Sequence, residues 1–158
     1  MEDLVRYLDE IVEPTVRDFE ANPTSLRHAF LACVVVFHAV DYRAYPRKAR
    51  PTREKYRRAS QDFALVDQVA HAFKHVVTGL QGAPNHLKAG DVISRPPAYW
   101  GSAAWDLSCW NDPIGGVTLD GDRSVDVLAT VKRGFEFLRR EAKLTPKAKR
   151  RIASGRAV

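Results

Sequence analysis

The chain has little of what usually announces a chemistry. Its 158 residues include two cysteines and one methionine, so no disulfide framework or Cys-rich metal site organises it. Cys33 lies in the run AFLACVVVF and reads as a small buried hydrophobe. Neither Cys33 nor Cys109 belongs to a C-x-x-C pair or stands beside a histidine that could activate it. No apolar stretch approaches the roughly 20 residues a membrane span needs. The start, MEDLVRYLDE, is acidic and amphipathic and lacks the basic opening and apolar run of a signal peptide. A cytoplasmic location is therefore expected. P-loop, G-x-G-x-x-G and G-x-S-x-G motifs are all missing, so the common phosphate cradles and the serine-hydrolase elbow are excluded. Asp120, Asp122, Ser124 and Asp126 have the look of a calcium loop, but Val125 replaces the required glycine and Val131 stands where the bidentate glutamate belongs. A turn at Asp120-Gly121 followed by a helix cap is the better reading.

What is present is an ordinary globular composition, 45% hydrophobic and 28% charged. A domain of this length hides roughly 70% of its unfolded surface and needs neither metal nor disulfide to hold a core. The net charge of +6 is unevenly placed. Residues 43–58 (RAYPRKARPTREKYRR) carry eight Lys/Arg against one acid, and residues 139–158 again carry eight against one. The remainder, with nine basic and seventeen acidic residues, is acidic. Concentrated positive charge neutralises phosphates and releases counterions. In the first segment Tyr42, Tyr45 and Tyr56 alternate with arginines, and aromatics beside guanidinium groups can stack bases. A solvated surface is the competing reading for both segments, and for the tail a solubilising helix extension.

Hydrophobic spacing organises the rest. Leu4, Leu8, Ile11, Val12, Val16 and Phe19 predict an amphipathic helix over 3–20, kinked or restarted near Glu13 by Pro14. Thr24 or Ser25 caps a second helix that is apolar on every face from Ala29 to Phe37 and ends before Pro46. Arg47 to Pro51 reads as a basic linker closed by proline. A third helix is expected over about 53–78, strongest from Ser60, with Gly79 as its stop. Residues 80–116 hold Trp100, Trp105 and Trp110 without helical period, and the tryptophans are expected to pin this long loop onto the helices. Short strands are predicted at Asp91 to Ser94 and Gly116 to Leu119. A last helix starts near Ser124, turns Val127 or Leu128, Val131, Phe135 and Leu138 inward, and runs into the basic tail.

The unusual polar residues sit on the second and third helices. His38 and Asp41 share a stripe with Arg27, and Asp67, His71 and His75 recur at four-residue steps. Should these faces meet, three imidazoles and two carboxylates converge. That set suits a divalent metal in a bundle core, although neither H-E-x-x-H nor a Glu-x-x-His pair of the di-iron type occurs. It equally suits a hydrogen-bonded network that fixes helix register.

Phe37-His38-Ala39-Val40-Asp41-Tyr42, Asp67 with Ala70-His71-Ala72-Phe73-Lys74-His75, and the late Leu119-Asp120-Gly121 with its closing helix resemble a family of small, mostly uncharacterised bacterial helical proteins, distantly similar to HEPN domains. The resemblance covers about two thirds of the chain. It implies a helical homodimer that interacts with nucleic acid, RNases of defence and toxin systems being among such proteins. The HEPN RNase signature, an arginine four to six residues ahead of a histidine, is matched by none of the five histidines.

The expectation is thus a mainly α, four-helix bundle-like single domain over 1–142, with a long Trp-rich loop, room for a small β-hairpin, and a basic tail over 143–158. Arg47, Lys48, Arg50, Arg53, Arg57 and Arg58 are the expected phosphate ligands, toward RNA or DNA. His38, Asp41, Asp67, His71, Lys74 and His75 are the expected active centre, with His71 or His75 as general acid or base should the chain cleave. A metal-binding hydrolase using His38, Asp41, His71 and His75, and a non-catalytic interaction scaffold, are the alternatives. No cofactor and no membrane partner is implied.

Overall fold

Pro14 shapes the first element. Its missing N–H and its ring would disturb an α-helical turn around Glu10. In the computed structural model of the chain, helix α1 (Glu2–Tyr7) widens into a π-helical turn over Leu8–Val12, where the Glu13 N–H reaches back to the Leu8 carbonyl, and α2 (Glu13–Ala21) restarts with Pro14 in its first turn. The extra residue accommodates the ring without breaking the rod. Thr15 donates its hydroxyl to the Ile11 carbonyl at 2.7 Å. The structure describes residues 2–75, 87–99, 101, 103–105, 108, 111–119 and 122–153, with the backbone alone for 122–124 and 144–153.

Ser25 is the cap of α3 (Leu26–Ala44), its side chain accepting from the His28 N–H at 3.4 Å. Ala29, Ala32, Cys33, Val36, Phe37, Ala39 and Val40 are buried, so α3 is the central helix that its apolar run predicts. It packs against α1, α2, α4, α5 and α6.

The stretch read as a linker and one long third helix is built differently. Ala49–Ala59 is a helix of its own, α4, and Gln61–His75 is α5. Pro51 falls in the first turn of α4, where no backbone N–H is needed, so it opens a helix rather than closing a linker. Ser60 divides the two. Its backbone is extended, its N–H closes α4 on Tyr56, and its Oγ accepts from the Phe63 N–H at 3.1 Å to open α5. The predicted stop at Gly79 lies outside the described residues.

A short 3-10 turn (Ala89–Asp91) leads into β1 (Val92–Arg95), which pairs antiparallel with β2 (Gly116–Leu119) at Val92 opposite Leu119. The two predicted strands are therefore present, and β2 also pairs antiparallel with β3 (Asp122–Asp126), giving a three-stranded sheet. Asp120 and Gly121, read as a turn, lie outside the described residues. Because β3 occupies 122–126, the last helix, α6 (Val127–Ala153), begins three residues later than its expected start near Ser124. Asp126 caps it, accepting from the Ala129 N–H at 2.9 Å. The backbone of α6 passes position 143 without interruption, so the basic segment as far as Ala153 rides on the domain's own helix.

The core joins Phe19, Val36, Val40, Phe63, Val66, Val69, Val117 and Val131. Tyr56 stands edge-on to both Phe63 and Phe137 in an aromatic cluster between α4, α5 and α6. Phe137 is the buried phenylalanine of α6, whereas Phe135, expected inward, is half-buried beneath the Arg139 guanidinium. Trp105 is 96% exposed and pins nothing, and Trp100 and Trp110 lie outside the described residues. The fold is mainly α, with a small antiparallel sheet at one side. No helix among the described residues is long and apolar enough to cross a membrane.

Two glycines test this packing in opposite directions. A Cβ on Gly134, inside α6, meets Val66 Cγ2 at 3.5 Å, an ordinary contact. Gly134→Ala is therefore expected to stabilise by roughly 0.5–1 kcal/mol. Gly115 has φ +71° and a Cβ there would fall 2.8 Å from the Pro97 nitrogen and closer still to the Arg95 carbonyl. Gly115→Ala is expected to cost more than about 2 kcal/mol. Urea denaturation of both variants checks the pair, and equal effects would contradict the structure.

Candidate functional site

The two groups of residues singled out in the sequence meet each other instead of forming separate sites. Asp67 on α5 is fully buried. An ionised carboxylate in such a position requires compensating charge, and α4 supplies it. Arg57 donates Nε–H to Asp67 Oδ2, and Arg53 Nε lies 3.9 Å from Oδ1. Arg53 also lies over the Phe37 ring, 4.4 Å from its centroid. Arg53 and Arg57, expected to hold phosphates, are thereby committed to an internal contact. Arg50 pairs with Glu54 one turn on at 3.0 Å. Arg58 is exposed.

His71 completes this hub. Its Nδ1 lies 2.8 Å from the Asp67 backbone carbonyl and 3.4 Å from Asp67 Oδ1. A carbonyl only accepts, so Nδ1 carries a proton toward it. The His71 ring stands edge-on to Phe37 at 4.9 Å and 6.0 Å from the ring of His75, which is exposed. Lys74 is exposed as well.

The expected convergence of three imidazoles and two carboxylates does not occur. α3 presents Phe37 to His71, while His38 and Asp41 pair with each other at 2.8 Å with side chains about half exposed. Among the described residues, no three His, Cys, Asp or Glu side chains come together in an arrangement that could hold a metal ion. His38 and Asp41 therefore form one surface pair and Asp67 and His71 one inner pair. Asp67 is wholly enclosed.

On the opposite side of α4 lies a cleft of about 410 Å³. Its position follows from the chain path: α3 ends at Ala44, Tyr45 and a cis Pro46 turn the backbone, and α4 starts at Ala49. Arg43, Arg47, Lys48 and Lys55 line it together with Tyr42, Tyr45, Tyr56 and Thr52. No carboxylate is among the lining residues, although Glu141 approaches Lys55 at 4.0 Å. The first turn of α4 has no acidic residue to offset its dipole. Tyr56 is buried between Phe63 and Phe137 and hydrogen-bonded to Arg43, and burial pushes its hydroxyl pKa up. Tyr42 stacks on Tyr7 at 4.1 Å, whereas Tyr45 is 82% exposed.

Of the six expected phosphate ligands, Arg47 and Lys48 line the cleft, and Arg53 and Arg57 do not. Arg43 and Lys55, not among those six, line it as well. The signal that finds Lys55 is helical phase: with α4 starting at Ala49, positions 48, 52, 55 and 56 share one face at three- and four-residue steps. A linker reading of 47–51 hides that phase. Comparison of the chain with protein-family models, characterised proteins and solved structures finds no match.

Proposed function

We propose that the chain is a cytoplasmic nucleic-acid-interacting module whose binding surface is the basic, tyrosine-lined cleft between the end of α3 and α4. One observation carries the reading. Four cations and three tyrosines line a single cavity with no carboxylate among them, although the chain outside its two basic segments is acidic. Clustered cations suit a polyanion, and tyrosines among them suit one that carries bases. A metal-dependent hydrolase is disfavoured by the separation of the His38 and Asp41 pair from the Asp67 and His71 pair.

The test is a salt series of binding to a labelled single-stranded RNA. Each phosphate neutralised contributes roughly −0.7 to the slope of log K against log salt. Arg47→Ala with Lys48→Ala is expected to make the slope shallower by roughly 1.4 and to weaken binding about tenfold or more. Neutralising Lys147, Lys149, Arg150 and Arg151 serves as the comparison. Loss of binding with the tail substitutions alone would move the function to the tail, and salt-insensitive binding by the intact chain would reject the cleft.

A further inference from the structure

We infer that the cleft seats one unstacked nucleotide of a single strand, its base laid on Tyr45 and its phosphate held by Arg47, Lys48 and Lys55, so that the protein distinguishes single-stranded nucleic acid from duplex. The inference rests on the nucleic-acid reading of the cleft and specifies its ligand.

The three tyrosines are not equivalent. Tyr56 is 2% exposed, enclosed by Phe63 and Phe137. Tyr42 has one ring face occupied by Tyr7 at an interplanar angle of 16°. Tyr45, at 82% exposure, is the tyrosine of the cleft with open ring surface. It stands two residues from Arg47 and three from Lys48, with the proline between, so the stacking surface and the cations are neighbours along a short stretch of backbone.

Size and shape point the same way. A volume of about 410 Å³ falls in the range of roughly 300–1,000 Å³ typical of sites for one small molecule. A base and its phosphate suit such a cavity. In a duplex the bases are stacked on one another with only their edges open in the grooves, so none offers a π-face to Tyr45. A strand with splayed bases offers one at every position. Thr52 and the Arg43-bound Tyr56 line the same cavity and are its hydroxyl-bearing residues beside Tyr42 and Tyr45.

The experiment uses the full chain and a labelled single-stranded 12-mer, displaced by unlabelled single strand, by duplex of the same length, by a strand of abasic residues and by inorganic phosphate. The single strand is expected to compete at least tenfold better than the duplex or the abasic strand. Tyr45→Ala is expected to weaken binding about tenfold with an unchanged salt slope, and Tyr45→Phe to restore it. Paired Arg47 and Lys48 substitutions lower the slope instead. Equal competition by duplex and abasic strand, or a neutral Tyr45→Ala, overturns the single-nucleotide inference while leaving a phosphate-binding cleft standing. Absence of salt-dependent binding to every probe overturns both. Because the competition series uses the unmodified protein, it decides the matter even if a Tyr45 variant folds poorly.

Discussion

Arg57→Ala is expected to destabilise the protein by about 3 kcal/mol, more than Asp67→Asn does, although the two residues form one ion pair. The asymmetry comes from where each charge goes when its partner is removed. The Asp67 side chain has no exposed surface, whereas those of Arg57 and Arg53 are 42% and 24% exposed. Without Asp67, both guanidinium groups can turn toward water. Without Arg57, the carboxylate stays enclosed with Arg53 at 3.9 Å and His71 at 3.4 Å, neither hydrogen-bonded to Oδ1. Asp67→Asn removes the charge but keeps the shape, so about 1–2 kcal/mol is expected. The double variant should cost little more than Asp67→Asn alone, because arginine has nothing left to neutralise. A double-mutant cycle by urea denaturation measures this coupling. Additive costs, or a loss below about 1 kcal/mol for Arg57→Ala, would mean that Asp67 is not held as an anion by α4.

This hub also connects fold to site. Arg53 and Arg57 fasten one side of α4 to α5, which leaves Lys48, Thr52, Lys55 and Tyr56 facing the cleft. One basic helix thus spends its charges in three ways. Two arginines neutralise an internal anion, Arg50 pairs along the helix with Glu54, and Lys55, with Lys48 at the helix cap, lines a cavity. Counting the charges of residues 43–58 as one patch misses this division.

The helices were legible where spacing and a local breaker agree. Pro14 restarts the first helix, the run from Ala29 to Phe37 is central, and the β1 and β2 segments stand within a residue of their expected bounds. Reading failed where one residue serves two elements. Ser60 ends α4 and begins α5, yet its flanks are both helical in pattern, so periodicity alone joins them. β3 is short and alternates Asp122, Ser124 and Asp126 with Arg123 and Val125, a composition poor in strand formers that pairing with β2 overrides. Within the candidate site, the i, i+4 relation of Asp67 and His71 was readable from one helix. Which face of α3 and α4 meets it was not: Phe37 rather than His38 fills that position, and two arginines expected in solvent complete it. Rotational setting between helices depends on side-chain packing, which spacing within each helix leaves open.

The fold is expected to lose stability steeply above pH 9, with the slope set by a thiol and two phenols held in their neutral forms. Burial alone pushes Cys33 from 9.0 to about 12. Tyr7, with its hydroxyl donating to the Val35 carbonyl at 3.0 Å, is likewise pushed to about 12, first by burial and then by Tyr42 and Asp41 nearby, and Tyr56 is raised in the same direction. The unfolded chain therefore releases these protons at lower pH than the folded chain. It binds fewer protons throughout that window, so stability falls as pH rises from the unfolded to the folded values. For Cys33 the loss accumulates between pH 9 and about 12 and amounts to about 4 kcal/mol. Tyr7 adds less than its shift alone implies, because part of its ring faces solvent that screens the phenolate. Set against the roughly 5–15 kcal/mol that holds a domain of ordinary stability, this is a large fraction of the total. Urea midpoints of the wild type at pH 8, 9.5 and 11 should fall progressively. Cys33→Ala is expected to begin lower at pH 8, since it leaves a small void beneath α3, and then to fall less steeply, while Tyr7→Phe removes the smaller share. Parallel pH profiles for the wild type and Cys33→Ala would show that Cys33 ionises as readily in the folded chain as in the unfolded one, and that the interior of α3 is open to water.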